Sequence, residues 1–278
     1  MFRELLKFLF YNLNIDKIKK WLRAIAPLSS HEPSKAVRIF NLDPPSDKLR
    51  DKHIIIFAAT CDYFERFGEI VHLDLLSTNE HVIPHYCLIL RSAKHKRDLH
   101  RFKNLITNFS GAGGVASYSI CLPYERIKDK KSLLNCARYF VADNVLRLKP
   151  STISIADIDI RITDCIDSII ANKLKPVRFR ERRALDSRFY VCAGFISILN
   201  SPIGRCFLKH LLATITSNLH KDDWFLDQKS LFHSSRRYKF NGNLDEKQFG
   251  FDPNSISIIW AKKGSSDLPT FERPKILN

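Results

Sequence analysis

What the sequence lacks narrows it first. No uninterrupted apolar stretch of about 18 residues occurs, so no membrane-spanning helix is expected. There is no Cys-x-x-Cys pair. The seven cysteines (61, 87, 121, 136, 165, 192 and 206) lie scattered inside apolar runs, which excludes zinc-ribbon and thioredoxin-like sites. Buried free thiols in a reducing compartment are the expectation. The ten histidines form no His-Glu-x-x-His pattern and no paired spacing with cysteine, and no Gly-x-Ser-x-Gly elbow marks a serine hydrolase. Gly111-Ala112-Gly113-Gly114 lacks the Gly-Lys-Ser/Thr ending of a phosphate loop and precedes a strand, so it is read as a turn. No internal repeat or low-complexity tract is present.

Acid is scarce relative to base, with 29 Asp and Glu against 45 Lys and Arg, a net charge of +16. That balance implies an anionic partner, whether nucleic acid, an anionic membrane face or a phosphorylated substrate. Base is concentrated at Lys17–Lys20, Lys94–Arg97, Lys128–Lys131 and Arg178–Arg183, which read as solvated faces. No RNP signature, zinc-finger spacing or long basic arm accompanies them, so little favours nucleic acid. With 45% hydrophobic residues, the chain has material for a sizeable core and is not a disordered one.

Along the chain, residues 1–27 form an N-terminal amphipathic helical segment. Phe2, Leu5, Leu6, Leu9 and Leu13, then Ile18, Trp21, Leu22 and Ile25, recur at helical spacing among basic residues. The segment lacks the order of a signal peptide, and it suits either an anionic membrane surface, through residues 1–26, or packing on protein. Residues 28–52 contain Pro33, Pro44 and Pro45 and read as a linker with one short strand, Val37–Leu42. From residue 53 to 278, apolar strands alternate with helical patterns. Strands are expected at His53–Cys61, Val82–Leu90, Val115–Leu122 and Ser151–Ala156, with helices at Asp62–Leu76, Lys94–Phe109 and Asp129–Asp143. Further on come a strand at Phe189–Leu199, a helix from Pro202 to about Leu219, a helix at Asp222–Phe232 and a strand at Ile256–Trp260. This alternation predicts an α/β fold: an open, mainly parallel sheet with helices on both faces. His210 and His220 are expected on helix surfaces. Asp164 and Asp167 are expected near the first turn of a helix, where negative charge is favoured.

The most informative stretch is Ile153-Ser154-Ile155-Ala156-Asp157-Ile158-Asp159. Ligands of open α/β sheets sit outside the carboxyl ends of the strands, where Asp157 and Asp159 fall. Residues i and i+2 of extended chain project to one side, and two carboxylates facing one way repel unless a cation lies near. Hard oxygen ligands favour Mg²⁺ or Mn²⁺ held against substrate phosphates.

An apolar strand ending in Asp157-Ile158-Asp159 resembles the DxD motif of GT-A type glycosyltransferases, the nucleotide-diphospho-sugar transferases, and the family-8-like enzymes most nearly. Other segments match in order: Asn135–Phe140 resembles the helix before that strand, Cys192-Ala193-Gly194-Phe195 an Asn-Ala-Gly-Val segment, Trp224–Gln228 an Asp-Gln motif, and Ile259–Gly264 the C-terminal strand with its Lys-Gly turn. The likeness covers roughly residues 53 to 270. It implies a metal-dependent transfer of sugar from a nucleotide-sugar donor to a hydroxyl of a glycan or lipid-linked acceptor, in surface polysaccharide synthesis, in the cytoplasm or peripherally on the inner face of a membrane. By that resemblance Asp157 and Asp159 hold Mn²⁺ or Mg²⁺. Ala59, Thr60 and Tyr63 line the nucleobase pocket. Arg138 approaches a phosphate. Ala193 and Gly194 leave room for the donor sugar, which Asp227 and Gln228 bind or help to react, and Lys262 and Lys263 steady the departing diphosphate. Cys192 stands where asparagine is usual and Ala261 about where a metal-binding histidine is usual, with His233 a replacement. Retention of configuration is expected. The competing expectations are a magnesium-dependent nuclease or basic nucleic-acid-binding protein using the same two acids, and a non-catalytic GT-A-like binding module.

Overall fold

The computed structural model describes residues 36–41, 49–90, 95–111, 116–124, 131–169, 175–181, 190–240, 244, 249–250 and 258–260. The amphipathic segment 1–27 and the lysines 262 and 263 lie outside the described residues, as does most of segment 28–52.

A seven-stranded sheet organises the molecule. Its strands are β1 (Val37–Asn41), β2 (His53–Ala59), β3 (Val82–Ile89), β4 (Ser117–Pro123), β5 (Thr152–Ala156), β7 (Val177–Glu181) and β8 (Val191–Leu199), in the spatial order β1-β4-β3-β2-β5-β8-β7. The central four, β4-β3-β2-β5, run parallel. β1 is antiparallel to β4, and β8 is antiparallel to both β5 and β7. The expected α/β class, with a mainly parallel sheet, is what the structure shows. The strand within the Pro-containing segment is not isolated: it is the edge of this sheet, paired from Val37↔Pro123 to Asn41↔Ser119. Three strands had no counterpart in the sequence reading, among them the two-residue β9 (Phe249–Gly250). One is β7, whose Arg178 belongs to a basic cluster expected to be solvated but is only 4% exposed. Another is the short β6 (Ile160–Ile162), which joins β10 (Ile258–Trp260) and β9 in a second sheet.

After β2 the chain turns helical in three parts: an α-helical turn Cys61–Tyr63, a π-helical stretch Phe64–Gly68, and α1 (Glu69–Thr78). The other helices are α2 (His95–Gly111), α3 (Lys131–Leu146), α4 (Ile166–Ile169), α5 (Pro202–Asn218) and α6 (Leu226–Arg237). α5 starts as its sequence dictates, with Pro202 in the first turn and the Ser201 side chain accepting from the Gly204 amide.

Strands buried on both faces read as continuous apolar runs, and β2 is of this kind, with Ile54, Ile55, Ile56 and Phe57 fully buried. Each such side chain stabilises the fold by about 2 kcal/mol. Two cores flank the sheet. One packs α3, α5 and α6 through Leu133, Phe140, Phe207, Leu211 and Leu231; the other packs the π-helical stretch, α1 and α2 through Phe64, Val71, Leu75, Phe102 and Phe109. Several buried polar groups find partners inside the fold. His85 is held between the Ser117 and Ser119 hydroxyls at 2.7 and 2.8 Å, and burial pulls its imidazole down to about 3, so it stays neutral.

The connections locate the crevice. From β2 the chain steps outward through β3 to β4, and α3 then carries it back to β5, on the other side of β2. The strand order therefore reverses between β2 and β5. Ligands of open α/β sheets bind outside the carboxyl ends of the strands at such a switch point. Thr60 follows β2 there, and Asp157 follows β5.

Candidate functional site

β5 ends at Ala156, so the two acids stand in the bend between β5 and β6 and not on the strand itself. The Asp157 amide still donates to the Gly194 carbonyl at 2.9 Å, which extends the β5–β8 ladder by one bond before the chain turns. Asp157 and Asp159 are both half-buried.

Arg138 is the centre of the site. It lies on α3 within Cys136-Ala137-Arg138-Tyr139-Phe140-Val141, every residue of which is buried. Only 5% of Arg138 is exposed. Its guanidinium spans three acceptors. Nη1 donates to Asp157 Oδ1; Nη2 donates to the Ala193 carbonyl at 3.0 Å and to Asp227 Oδ2 at 2.9 Å. One planar fork thus links α3, the acidic bend, β8 and α6. Asp227 is 4% exposed and sits in the first turn of α6, where its Oδ1 accepts from the Gln228 amide at 2.7 Å. That is a favourable end for negative charge.

The electrostatics follow from burial. Desolvation pushes the Asp227 carboxyl up to about 6; Arg138 pulls it back down and Asp157 adds to the rise. Burial works against the Arg138 charge, but Asp157 and then Asp227 outweigh it and hold the guanidinium well above its ordinary value. Above about pH 6 the Asp227 carboxylate is ionised and faces the Arg138 guanidinium.

Of the residues expected from the sequence, the structure brings Arg138, Asp157, Ala193, Gly194, Asp227 and Gln228 together, with Asp159 in the same bend. Arg138 is no surface arginine. Ala193 and Gly194 are both buried: the Ala193 carbonyl accepts from Arg138 and the Gly194 carbonyl from the Asp157 amide of the bend. Ala59 and Thr60 lie at the end of β2, the strand next to β5. Tyr63 follows at 52% exposure, its ring centroid 5.7 Å from that of Phe67. His233 does not join the acids: it lies six residues after Asp227, about 240° around α6, and is exposed. Among the described residues, no group of three or more His, Cys, Asp or Glu side chains could hold a metal ion. The sequence reading missed the tie between Asn135 and the loop before α6, where Asn135 Nδ2 donates to the Trp224 carbonyl at 2.6 Å. It also missed the clamp on β6: Asp74 of α1 accepts from Arg161 Nε at 2.8 Å, Arg161 Nη2 at 3.0 Å and the Ile162 amide at 2.9 Å. Arg138 was reached through the resemblance of Asn135–Phe140; neither of these ties has a local signal.

Two other expectations are revised. His210 is half-buried, its Nδ1 3.0 Å from the Ser234 hydroxyl, and Cys206 is exposed where buried thiols were expected. No helix among the described residues is long and apolar enough to cross a membrane.

No family model matches the chain, and no curated protein matches it. Solved structures do. Mouse xyloside xylosyltransferase 1, in its apo form, matches 72% of this chain and 87% of its own at 10% identity and a TM-score of 0.43. The glycosyltransferase GlyE of Streptococcus pneumoniae TIGR4 matches 72% of this chain and 46% of its own at 17% identity and a TM-score of 0.47. The bifunctional glycosyltransferase WbbM, also apo, matches 77% of this chain and 42% of its own at 12% identity and a TM-score of 0.48. The chain thus spans less than half the length of the GlyE and WbbM chains, and each of the three proteins to which it is similar is a glycosyltransferase.

Proposed function

We propose that the chain is a glycosyltransferase that moves a sugar from a nucleoside diphospho-sugar to a hydroxyl of a saccharide or lipid-linked saccharide. The observation that carries this reading is the buried Arg138, shared by Asp157, Asp227 and the Ala193 carbonyl at the switch point of the sheet. A donor laid across the crevice has its base at Ala59, Thr60 and Tyr63, its diphosphate at the acidic bend, and its sugar against Ala193, Gly194, Asp227 and Gln228.

Charge decides what else the site needs. The carboxylates of the bend repel a diphosphate, and a cation beside them offsets that repulsion. The donor set fits such a cation. Two half-buried carboxylates on one short bend are hard oxygen donors of the kind that would suit Mg²⁺ or Mn²⁺. Asp157 and Asp159 would hold it; when bound, it offsets the charge that grows on the departing diphosphate.

The protein's own groups do the rest. Arg138 holds Asp157 and Asp227 in fixed relation before substrate arrives, which is the preorganisation that electrostatic catalysis requires. Asp227, ionised at neutral pH, has lone pairs left beyond its bonds to Arg138 and Gln228, and these accept hydroxyl protons of the donor sugar. Gln228, half-buried beside it, orients the sugar or the incoming hydroxyl. Lys262 and Lys263 add positive charge for the leaving group: they follow β10, whose Trp260 is paired with Ile160, the residue after the acidic bend.

Calorimetric titration with a panel of nucleotide sugars, in Mn²⁺ and in chelator, tests the reading. Binding in Mn²⁺ that is lost in chelator and weakened at least tenfold by Asp159→Ala is expected. Absence of binding to every nucleotide sugar, or full binding by the variant in chelator, would overturn it.

A further inference from the structure

Few large apolar side chains of the described residues face solvent: Phe40, Tyr63, Ile203 and Trp224. One of them stands at the rim of the proposed site. Trp224 precedes Asp227 by three residues and is 38% exposed. Its backbone is fixed from two sides. Asn135, one turn before Arg138 on α3, donates to the Trp224 carbonyl at 2.6 Å. Asp223 accepts from the Phe225 amide at 3.0 Å through its side chain and from the Leu226 amide at 3.1 Å through its carbonyl, and Lys229 pairs with its carboxylate. Asp222, in a left-handed conformation at φ 50, turns the chain into this loop and accepts from the Lys131 amide at the start of α3.

These contacts place Trp224 relative to the crevice. α3 begins on the side where β4 ends, the carboxyl edge, and runs back towards the amino end of β5. Asn135 is therefore one turn nearer the rim than Arg138, and Trp224 lies outside the Arg138–Asp227 pair. Tyr63 belongs to the opposite face of the sheet, with the helical turn that follows β2. The two exposed aromatics flank the acidic bend, one beyond β2 and the other beside α6.

We infer that the indole of Trp224 is the platform on which the acceptor saccharide stacks. The inference rests on the donor reading above: with base at the β2 end and diphosphate at the bend, the donor sugar reaches Asp227, and the next surface outward is Trp224. A pyranose presents an apolar face of C–H groups, slightly positive, which matches the negative face of an indole. A tryptophan has few rotatable bonds, so contact area is obtained there at low entropic cost, more so where its backbone is already pinned. Hydroxyls at the edge of the same sugar find Asp227 and Gln228. A neutral saccharide is favoured over an anionic ligand because, within three residues of Trp224, the acids Asp222, Asp223 and Asp227 outnumber Lys221, and Lys229 is paired with Asp223.

The test is saturation-transfer NMR on the full chain with lactose, maltotriose, cellotriose and xylotriose, comparing wild type with Trp224→Ala and Trp224→Phe, and calorimetry of the same proteins with uridine diphosphate and Mn²⁺. Saturation of ring C–H protons in at least one saccharide is expected, reduced about tenfold by Trp224→Ala and largely kept by Trp224→Phe. Uridine diphosphate binding should be the same in all three. Equal saccharide binding by Trp224→Ala, or no saccharide signal with wild type, overturns the inference. If saccharides bind through Trp224 but neither uridine diphosphate nor the adenosine, guanosine, cytidine and thymidine diphosphates titrated in the same way bind wild type, the platform stands and the donor reading falls, so the two failures are told apart. Loss of uridine diphosphate and saccharide binding together in Trp224→Ala would assign the residue to the fold and not to the acceptor.

Discussion

Replacing Arg138 with alanine removes the guanidinium that pairs with Asp227, a carboxylate that is 4% exposed. Even with Arg138 present, burial lifts that carboxyl from 3.8 to about 6, which corresponds to about 3 kcal/mol against its ionised form. Taking one partner from a buried pair costs about 3–5 kcal/mol. Part of that is recoverable by protonation, and the sign can be worked out. Arg138 holds the Asp227 pKa down, so its loss raises the folded-state value further. The folded variant then binds more protons than folded wild type through the neutral range, and its stability rises more steeply as pH falls. In general terms, a carboxyl raised on folding contributes stability that is present below about 3.8 and lost as pH rises through the folded value. Urea denaturation followed by circular dichroism should give a destabilisation of about 4 kcal/mol near pH 7.5. Near pH 5 it should fall to about 2 kcal/mol, the remainder reflecting lost packing and the unpaired Ala193 carbonyl. A cost below about 1 kcal/mol, or one that is the same at both pH values, would show that Asp227 does not depend on Arg138 in the folded protein.

Asp74→Ala strips the buried acceptor from Arg161 and from the Ile162 amide; a loss of about 3 kcal/mol is expected, with faster hydrogen exchange at Ile162, and unchanged exchange there would refute the clamp. Asp167, bonded to His53 at 3.1 Å and His81 at 2.9 Å, is lowered to about 2 mainly by the His53 hydrogen bond, so its contribution is present above about 3.8 and lost as pH falls through about 2. Asp167→Asn should accordingly flatten the acid limb of an unfolding curve, and an unaltered limb would remove the role assigned to it. Gly204→Ala places a Cβ 2.1 Å from the Leu199 carbonyl oxygen, so a destabilisation of about 1–3 kcal/mol should override the gain of about 1 kcal/mol that alanine brings to an ordinary helix position; a raised melting temperature would contradict that geometry.

The parts legible in the sequence share one property: their signal is local. The apolar run Ile54–Phe57, the Pro202 helix start and the strand leading to Asp157 each announce themselves within a few residues, and the structure has them close to the expected places. β7 was hidden because Arg178 and Arg180 made Val177–Glu181 look solvated, although its pairing with β8 buries Arg178. β6 is three residues long, and what holds it is Asp74, 87 residues earlier than Arg161. The helix expected from Asp222 begins at Leu226, because Asp222 takes a left-handed conformation and Asp223 accepts from the Phe225 amide. The acidic residues of the site were visible as a motif, whereas the tie of Arg138 to Asp227, 89 residues away, is a product of packing α3 against α6 and β8.

The proposed role of Arg138 is to assemble the donor site, and one measurement reaches that most directly: release of free nucleoside diphosphate from a panel of nucleotide sugars in Mn²⁺, by wild type and by Arg138→Lys. A lysine keeps the charge but cannot serve Asp157, Asp227 and the Ala193 carbonyl from one planar fork. Wild type should release diphosphate from at least one donor, and Arg138→Lys should be slower by about 10²-fold or more. Release at the wild-type rate by the lysine variant, or none from any donor by wild type, would contradict it.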